Sequence, residues 1–185
     1  MRDLKSTRLF DSRFAANKRR YVLQATLAAA VLGAVLAVAD SLSDAAIVTA
    51  IASSTFIIFT SPHSASATSR RVLGGHVVGV LIGLTAGGVL HGVLGQPYET
   101  NTVADVWAAG GVGLVMLAMA VTDTEHPPAA GTILGLAMAD EAIASGVLVL
   151  AAALALCLAR AVLSRWLMDL SSDAVTGERS DGLVP

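Results

Sequence analysis

The chain has one cysteine, Cys157, so it can form no intramolecular disulfide. That residue lies inside an apolar run, where a small packing residue is expected. Charge is scarce too. Asp, Glu, Lys and Arg make up 14% of the 185 residues and sum to −2. No basic field is present to hold a nucleic acid, and no such partner is expected. Walker loops, zinc-ligand spacings and nucleophile elbows are all missing. The glycines of "GGHVVGVLIG" begin no strand–turn–helix unit, which excludes a nucleotide loop there. The four histidines lack a close metal-binding spacing. No cofactor is therefore expected, and the chain is not expected to be an enzyme.

Apolar sequence is what the chain has in quantity: 55% of residues are hydrophobic, and the mean hydropathy is +0.70. A soluble domain of this size cannot hide so much apolar surface. The apolar segments run 21–39, 45–60, 72–94, 105–122, 128–139 and 142–168. Several approach the roughly 20 residues that a bilayer demands. The expected fold is all-α, a polytopic helical membrane protein with six apolar segments. Two of them, 45–60 and 128–139, are short enough to be broken or re-entrant helices. Residues 1–20 form a basic, cytoplasmic N-terminal segment, and residues 169–185 a polar tail expected to be disordered. Between them, 21–168 form the membrane domain. The "AVA" at 37–39 resembles a signal-peptidase site, but the run before it is long for a signal peptide, so the first helix is expected to be retained.

Charge placement gives a topology. Basic residues precede the first segment and recur at Arg70, Arg71, Arg160 and Arg165. Acidic residues sit in the alternate connections, at Asp40, Asp44, Glu99, Asp105, Asp140 and Glu141. Six crossings put every basic site on one side, with both termini cytoplasmic. Four full spans with short segments dipping in is the rival. A bacterial inner membrane is the expected location, and the lipid bilayer the first partner. Trp107 and Trp166 lie near span ends, as interfacial anchors do.

Small residues recur in the segment 72–94, at Gly75, Gly79, Gly83 and Gly87. Such a face lets helices approach closely in lipid. Packing within one chain and a homo-oligomer contact through this helix both fit. The oligomer is expected, because six short segments make a thin wall for a pathway.

Two polar breaks interrupt the apolar sequence: "FTSPHSASATSRRVLGGH" at 59–76 and "VTDTEHPPAAGTILGLAMA" at 121–139. Each sets a proline beside a histidine and precedes an apolar helix, a pattern that points to a duplicated helix–break–helix unit. Pro127 and Pro128 suit a helix start, because the missing N–H is not needed there. The amides of Ala129, Ala130, Gly131 and Thr132 are then expected to stay free and face the break. Two helix N-termini aimed at one region favour an anion. The candidate binding residues are Ser61, His63, Ser64, Arg70, Arg71, His76, His126, Pro127, Pro128, Ala129, Gly131 and Thr132. Arg70 and Arg71 serve equally well as cytoplasmic anchors, and His126 as a cap or loop linker. Asp123 and Glu125 would repel an anion unless they cap a helix, pair with an arginine or, with His126, relay protons. Asp123, Glu125 and His126 could alternatively serve a membrane-embedded metal-dependent enzyme. A scaffold or sensor subunit is a third reading.

His126-Pro127-Pro128 with the following "AAGT", together with "SPHSASATSRRVLGGH", resembles the HPP family of integral membrane proteins. The resemblance covers most of residues 21–165. It implies a compact domain usually described with four spans, against the six segments counted here. It also implies transport of a small monovalent inorganic anion, since some members are implicated in nitrite transport in chloroplasts and cyanobacteria. Nitrite is the substrate expected on that ground.

Overall fold

The computed structural model describes residues 12–38, 45–97 and 102–170. The polar tail from 171 onward, the residues before 12, and Asp40, Asp44 and Glu99 of the charge map lie outside these ranges. Among the described residues all regular structure is helical: α1 (Ser12–Val38), α2 (Ala45–Thr60), α3 (Ser69–Gly87), α4 (Thr102–Thr122), α5 (Ala129–Met138) and α6 (Ala142–Leu163). A short 3-10 turn (Ala65–Ala67) precedes α3, and a π-helical turn (Gly88–Val93) extends it. Each apolar segment forms one helix.

Length divides the six. Four are long and apolar enough to cross a membrane: Ala16–Ala37, Ser69–Val93, Thr102–Thr122 and Ala142–Leu163. At about 1.5 Å per residue, α2 reaches about 24 Å and α5 about 15 Å, against a hydrocarbon core of about 30 Å. Four long spans and two shorter helices match the count the family resemblance implied. The exterior is apolar, with Val106, Leu117, Val121, Ile143, Val147 and Val162 exposed. Lipid solvates such a surface, so it needs no protein cover.

The short α5 is the centre of the bundle and packs on α2, α3, α4 and α6. Its small residues make that position tolerable. A Cβ placed on Gly79 of α3 would stand 2.8 Å from the Ala129 carbonyl oxygen, and one on Gly83 2.9 Å from the Leu136 Cβ. One on Gly131 of α5 would stand 3.2 Å from the Cβ of Ala50 in α2. Gly75 and Gly87 face α5 and the break before it in the same way. The face Gly75–Gly79–Gly83–Gly87 is thus filled within one chain. Those four glycines are therefore taken up by packing within the chain and are not free for the homo-oligomer contact expected through 72–94, whereas Gly88 and Gly92 have nothing within 4 Å of a Cβ. The register 75–126, 79–129, 83–136 also shows that α3 and α5 run parallel. Ile47, Ile51, Ile58, Val80, Leu136 and Val149 form the main core. Val115, Met119, Ala129 and Ile133 form a smaller one between α4 and α5.

One end of the bundle collects the arginines. Arg160 of α6 donates twice to the Pro62 carbonyl, at 2.9 and 2.7 Å. Buried Gln24 of α1 donates to the carbonyls of Phe59 (2.7 Å) and Met168 (3.0 Å) and accepts from the Met168 N–H (3.1 Å). Helix α6 therefore ends at Leu163, short of the expected 168, and the chain beyond it straps α1 to the end of α2. Gln24→Leu leaves two carbonyls without their donor and is expected to cost about 2 kcal/mol. A thermal scan in detergent that showed no loss would remove Gln24 from this role. At the opposite end, the His91 ring nitrogens lie 2.9 and 2.8 Å from the carbonyl oxygens of Gln96 and Ala137. Ala137 sits in the last turn of α5, where carbonyls lack helical partners.

Candidate functional site

The break between α4 and α5 begins with a helix stop. Asp123 adopts φ 52°, and the Thr124 N–H returns to the Met119 carbonyl at 3.0 Å. That is a left-handed C-terminal cap, a place where Asp is tolerated better than most residues. Asp123→Val is expected to cost about 1–2 kcal/mol from the backbone alone. Asp123→Gly should be near neutral, trading relief of strain for lost ion pairs. Equal melting temperatures for Val and Gly would contradict the cap. The Asp123 carboxylate pairs with Arg70 (3.2 Å) and Arg71 (2.6 Å). Glu125 stands 3.4 Å from Arg71, without hydrogen-bond alignment. Arg70 also donates to the Thr122 carbonyl at 3.1 Å. The two acids and two arginines form a balanced, largely exposed ledge in which neither charge type is left alone. Such pairs contribute about 0–1 kcal/mol each.

After Glu125 the chain turns inward. His126 and Thr132 are 0% exposed, and they meet Ser54 of α2 (0%) and His76 of α3 (1%). The Ser54 Oγ lies 2.9 Å from Nε2 of His76 and 2.9 Å from Nε2 of His126. The His76 Nδ1 lies 3.0 Å from the Thr132 hydroxyl, and the His126 Nδ1 lies 2.8 Å from the Ser66 carbonyl oxygen. The two rings are 5.3 Å apart, edge to face. Four helical or loop elements thus bring two imidazoles and two hydroxyls together in the buried interior of the bundle. The Ser66 oxygen can only accept, so the His126 Nδ1 carries a hydrogen. A surface hollow of about 390 Å³ lies between Ser53, Phe56 and Ile57 of α2 and the pair Pro127–Pro128. It is lined by the chain neighbours of both Ser54 and His126.

The structure separates the sequence candidates. His76, His126 and Thr132 converge. His63 does not: it is exposed at the bundle end, where its N–H and ring nitrogen face the Asp169 carboxylate at 3.1 and 3.2 Å. Ser61 and Ser64 close the turn that carries it, the Ser64 N–H donating to the Ser61 carbonyl at 3.0 Å. The helix-start amides, expected to be free, are not. Those of Ala129, Ala130 and Gly131 donate to the carbonyls of His126, Pro127 and Pro128, at 2.9, 3.1 and 3.0 Å. The tight first turn that the proline pair imposes brings those carbonyls within reach. The acid–histidine triple is split as well: Asp123 and Glu125 face the arginines, while His126 faces Ser54 and Ser66. Ser54 is the site residue that sequence reasoning does not single out. Its only signal is the hydroxyl run Ser53-Ser54-Thr55 in the middle of an apolar segment.

A family model described as HPP, transmembrane region, matches residues 15–172. Comparison with curated proteins and with solved structures finds no match.

Proposed function

The chain belongs to the HPP family of transmembrane proteins, and from that membership and the buried histidine cluster we propose that it carries a small monovalent inorganic anion across the membrane. Nitrite is the favoured substrate. The observation that carries the reading is the pair His76 and His126, both buried among membrane helices and both on the Ser54 hydroxyl. Ionisable side chains inside a helical membrane domain are expensive, and their default explanation is function. The imidazole N–H groups and the hydroxyls of Ser54 and Thr132 bond one another and the Ser66 carbonyl in this structure, and in the proposed reading some of them turn to the anion when it binds. The hollow beside Pro127 and Pro128 lies next to the cluster in sequence but is lined by none of its four side chains, so an ion reaches them only if the break or α2 moves.

The helix-start amides take no part in this reading, and Arg70 and Arg71 enter only as the charged rim of the bundle end. The test is a flux screen of nitrite, nitrate, formate, chloride and bicarbonate into liposomes containing the purified protein. Protein-dependent nitrite uptake above the other ions supports the full proposal. Uptake of another of these ions in preference replaces nitrite while keeping the class. No uptake of any of them sinks it and returns the chain to a scaffold or sensor role.

A further inference from the structure

The Ser54 hydroxyl has three neighbours within hydrogen-bond reach: Nε2 of His76, Nε2 of His126 and, one turn back along α2, the Ala50 carbonyl oxygen at 2.9 Å. A hydroxyl has one hydrogen to give and two lone pairs to receive. With both imidazoles neutral and Ser54 turned from Ala50 to His126, one arrangement satisfies every ring nitrogen. His126 donates from Nδ1 to Ser66, so its Nε2 accepts from Ser54. Ser54 then accepts from the His76 Nε2–H, and the His76 Nδ1 accepts from Thr132. All four ring nitrogens are satisfied in one directed chain.

One added proton leaves them satisfied as well, at the same heavy-atom positions. On His76, it sits on Nδ1 and donates to the Thr132 oxygen. Transfer to His126 breaks the N–H bond at His76 Nε2 and forms an O–H bond on Ser54. The former O–H of Ser54 breaks, and an N–H bond forms at His126 Nε2. Ser54 then donates its new O–H back to the His76 Nε2, and His76 is left as the neutral Nδ1–H tautomer, donating to Thr132. The neighbouring elements bring no carboxylate to these rings among the described residues. Helix α2 offers Ser54, α3 His76, α5 Thr132, and the loop before α3 the Ser66 carbonyl. Asp123 is held by Arg70 and Arg71, Glu125 stands 3.4 Å from Arg71 without a hydrogen bond, and Arg160 is held by the Pro62 carbonyl. A proton on the cluster therefore makes a buried cation without a protein counter-charge, which is costly until an anion arrives.

We infer that His76, Ser54 and His126 form a proton-carrying site, with the Ser54 hydroxyl passing one proton between the two imidazoles, so that the anion crosses together with a proton. The substrate class narrows to the conjugate base of a weak acid, moved without net charge. This rests on the transport reading above. The relay falls to the buried pair, while Asp123 and Glu125, candidates for it on sequence, stay at the rim.

The test uses liposomes containing the full chain, an entrapped pH-sensitive dye and an inward nitrite gradient at neutral external pH, with protein-free liposomes subtracted. The expected result is protein-dependent acidification of the lumen matching nitrite uptake, at a rate unchanged when the membrane voltage is clamped at different values. Protein-dependent nitrite uptake that carries current and leaves the lumen pH unchanged overturns the coupling and leaves the transport reading standing. Absence of any anion uptake overturns both. Ser54→Ala is expected to slow coupled uptake about a hundredfold, and Ser54→Thr to restore most of it. Coupled uptake in Ser54→Ala at the wild-type rate overturns the hydroxyl shuttle, whatever the variant's stability.

Discussion

Gly79→Val is expected to unfold the bundle at a temperature about 10 °C below wild type, a loss of about 3 kcal/mol. The added Cβ would stand 2.8 Å from the Ala129 carbonyl oxygen and 3.3 Å from the Thr132 Cβ. The first obstacle is backbone in the opening turn of α5, which no rotamer change can move. Helix α5 must shift, and α5 touches every long helix of the bundle except α1 strongly enough to fix its place. The shift also threatens the 3.0 Å contact between His76 and Thr132, one turn away. Gly92→Ala is the control, since nothing lies within 4 Å of a Cβ there. It should stay within about 0.5 kcal/mol of wild type. Cys157 provides the readout: it is buried, and no second cysteine competes for a thiol-reactive dye during a thermal scan. A Gly79→Val protein that melts with wild type, or that stays folded while changing only its oligomeric state, would return the glycine face to the surface.

The helix pattern is legible in the sequence because apolar length and charge placement act locally. Segment 45–60 is bounded to the residue, and the shortness of α2 and α5 follows from the spacing of the polar residues around them. The ends of the outer helices are not legible in this way. Helix α1 begins at Ser12, inside a basic stretch that reads as a polar segment, with a kink at Asn17. Helix α6 stops early because Gln24 and Tyr21, some 140 residues away in sequence, hold the chain after it. The site is legible by half. Proline and glycine mark breaks in any sequence, so His76, His126 and Thr132 can be found near them. The two Pro–His pairs look equivalent in sequence, yet His63 stays at the surface and His126 turns inward. That difference depends on which side of each break meets α2. A serine such as Ser54 costs little in a membrane helix, because its hydroxyl can bond back to the carbonyl four residues earlier. Nothing local distinguishes such a serine from one that also holds two histidines.

His126→Ala should therefore cost more in flux than in stability, and His63→Ala should cost little in either. Removing the His126 ring takes the Nδ1–H donor from the Ser66 carbonyl, a penalty of about 1–3 kcal/mol. Ser54 avoids a comparable penalty, because its hydrogen can turn to the Ala50 carbonyl. The Cβ that Gly75 was shaped to accept is kept in alanine, so α3 and the break retain their spacing. The variant is expected to fold and melt several degrees lower; under the proposed nitrite transport, in which His126 carries the proton, it should take up nitrite about a hundredfold more slowly or worse. His63 is 57% exposed and bonded only to Asp169 among the described residues, a surface pair worth about 0–1 kcal/mol. Its alanine variant should transport within about twofold of wild type, the scatter allowed for a surface change. The two measurements together decide which proline–histidine pair matters. Loss of flux in His63→Ala with flux kept in His126→Ala would move the anion to the bundle end. Equal loss in both would mean the ion passes each in turn, with Asp169 as well as Ser54 on its path.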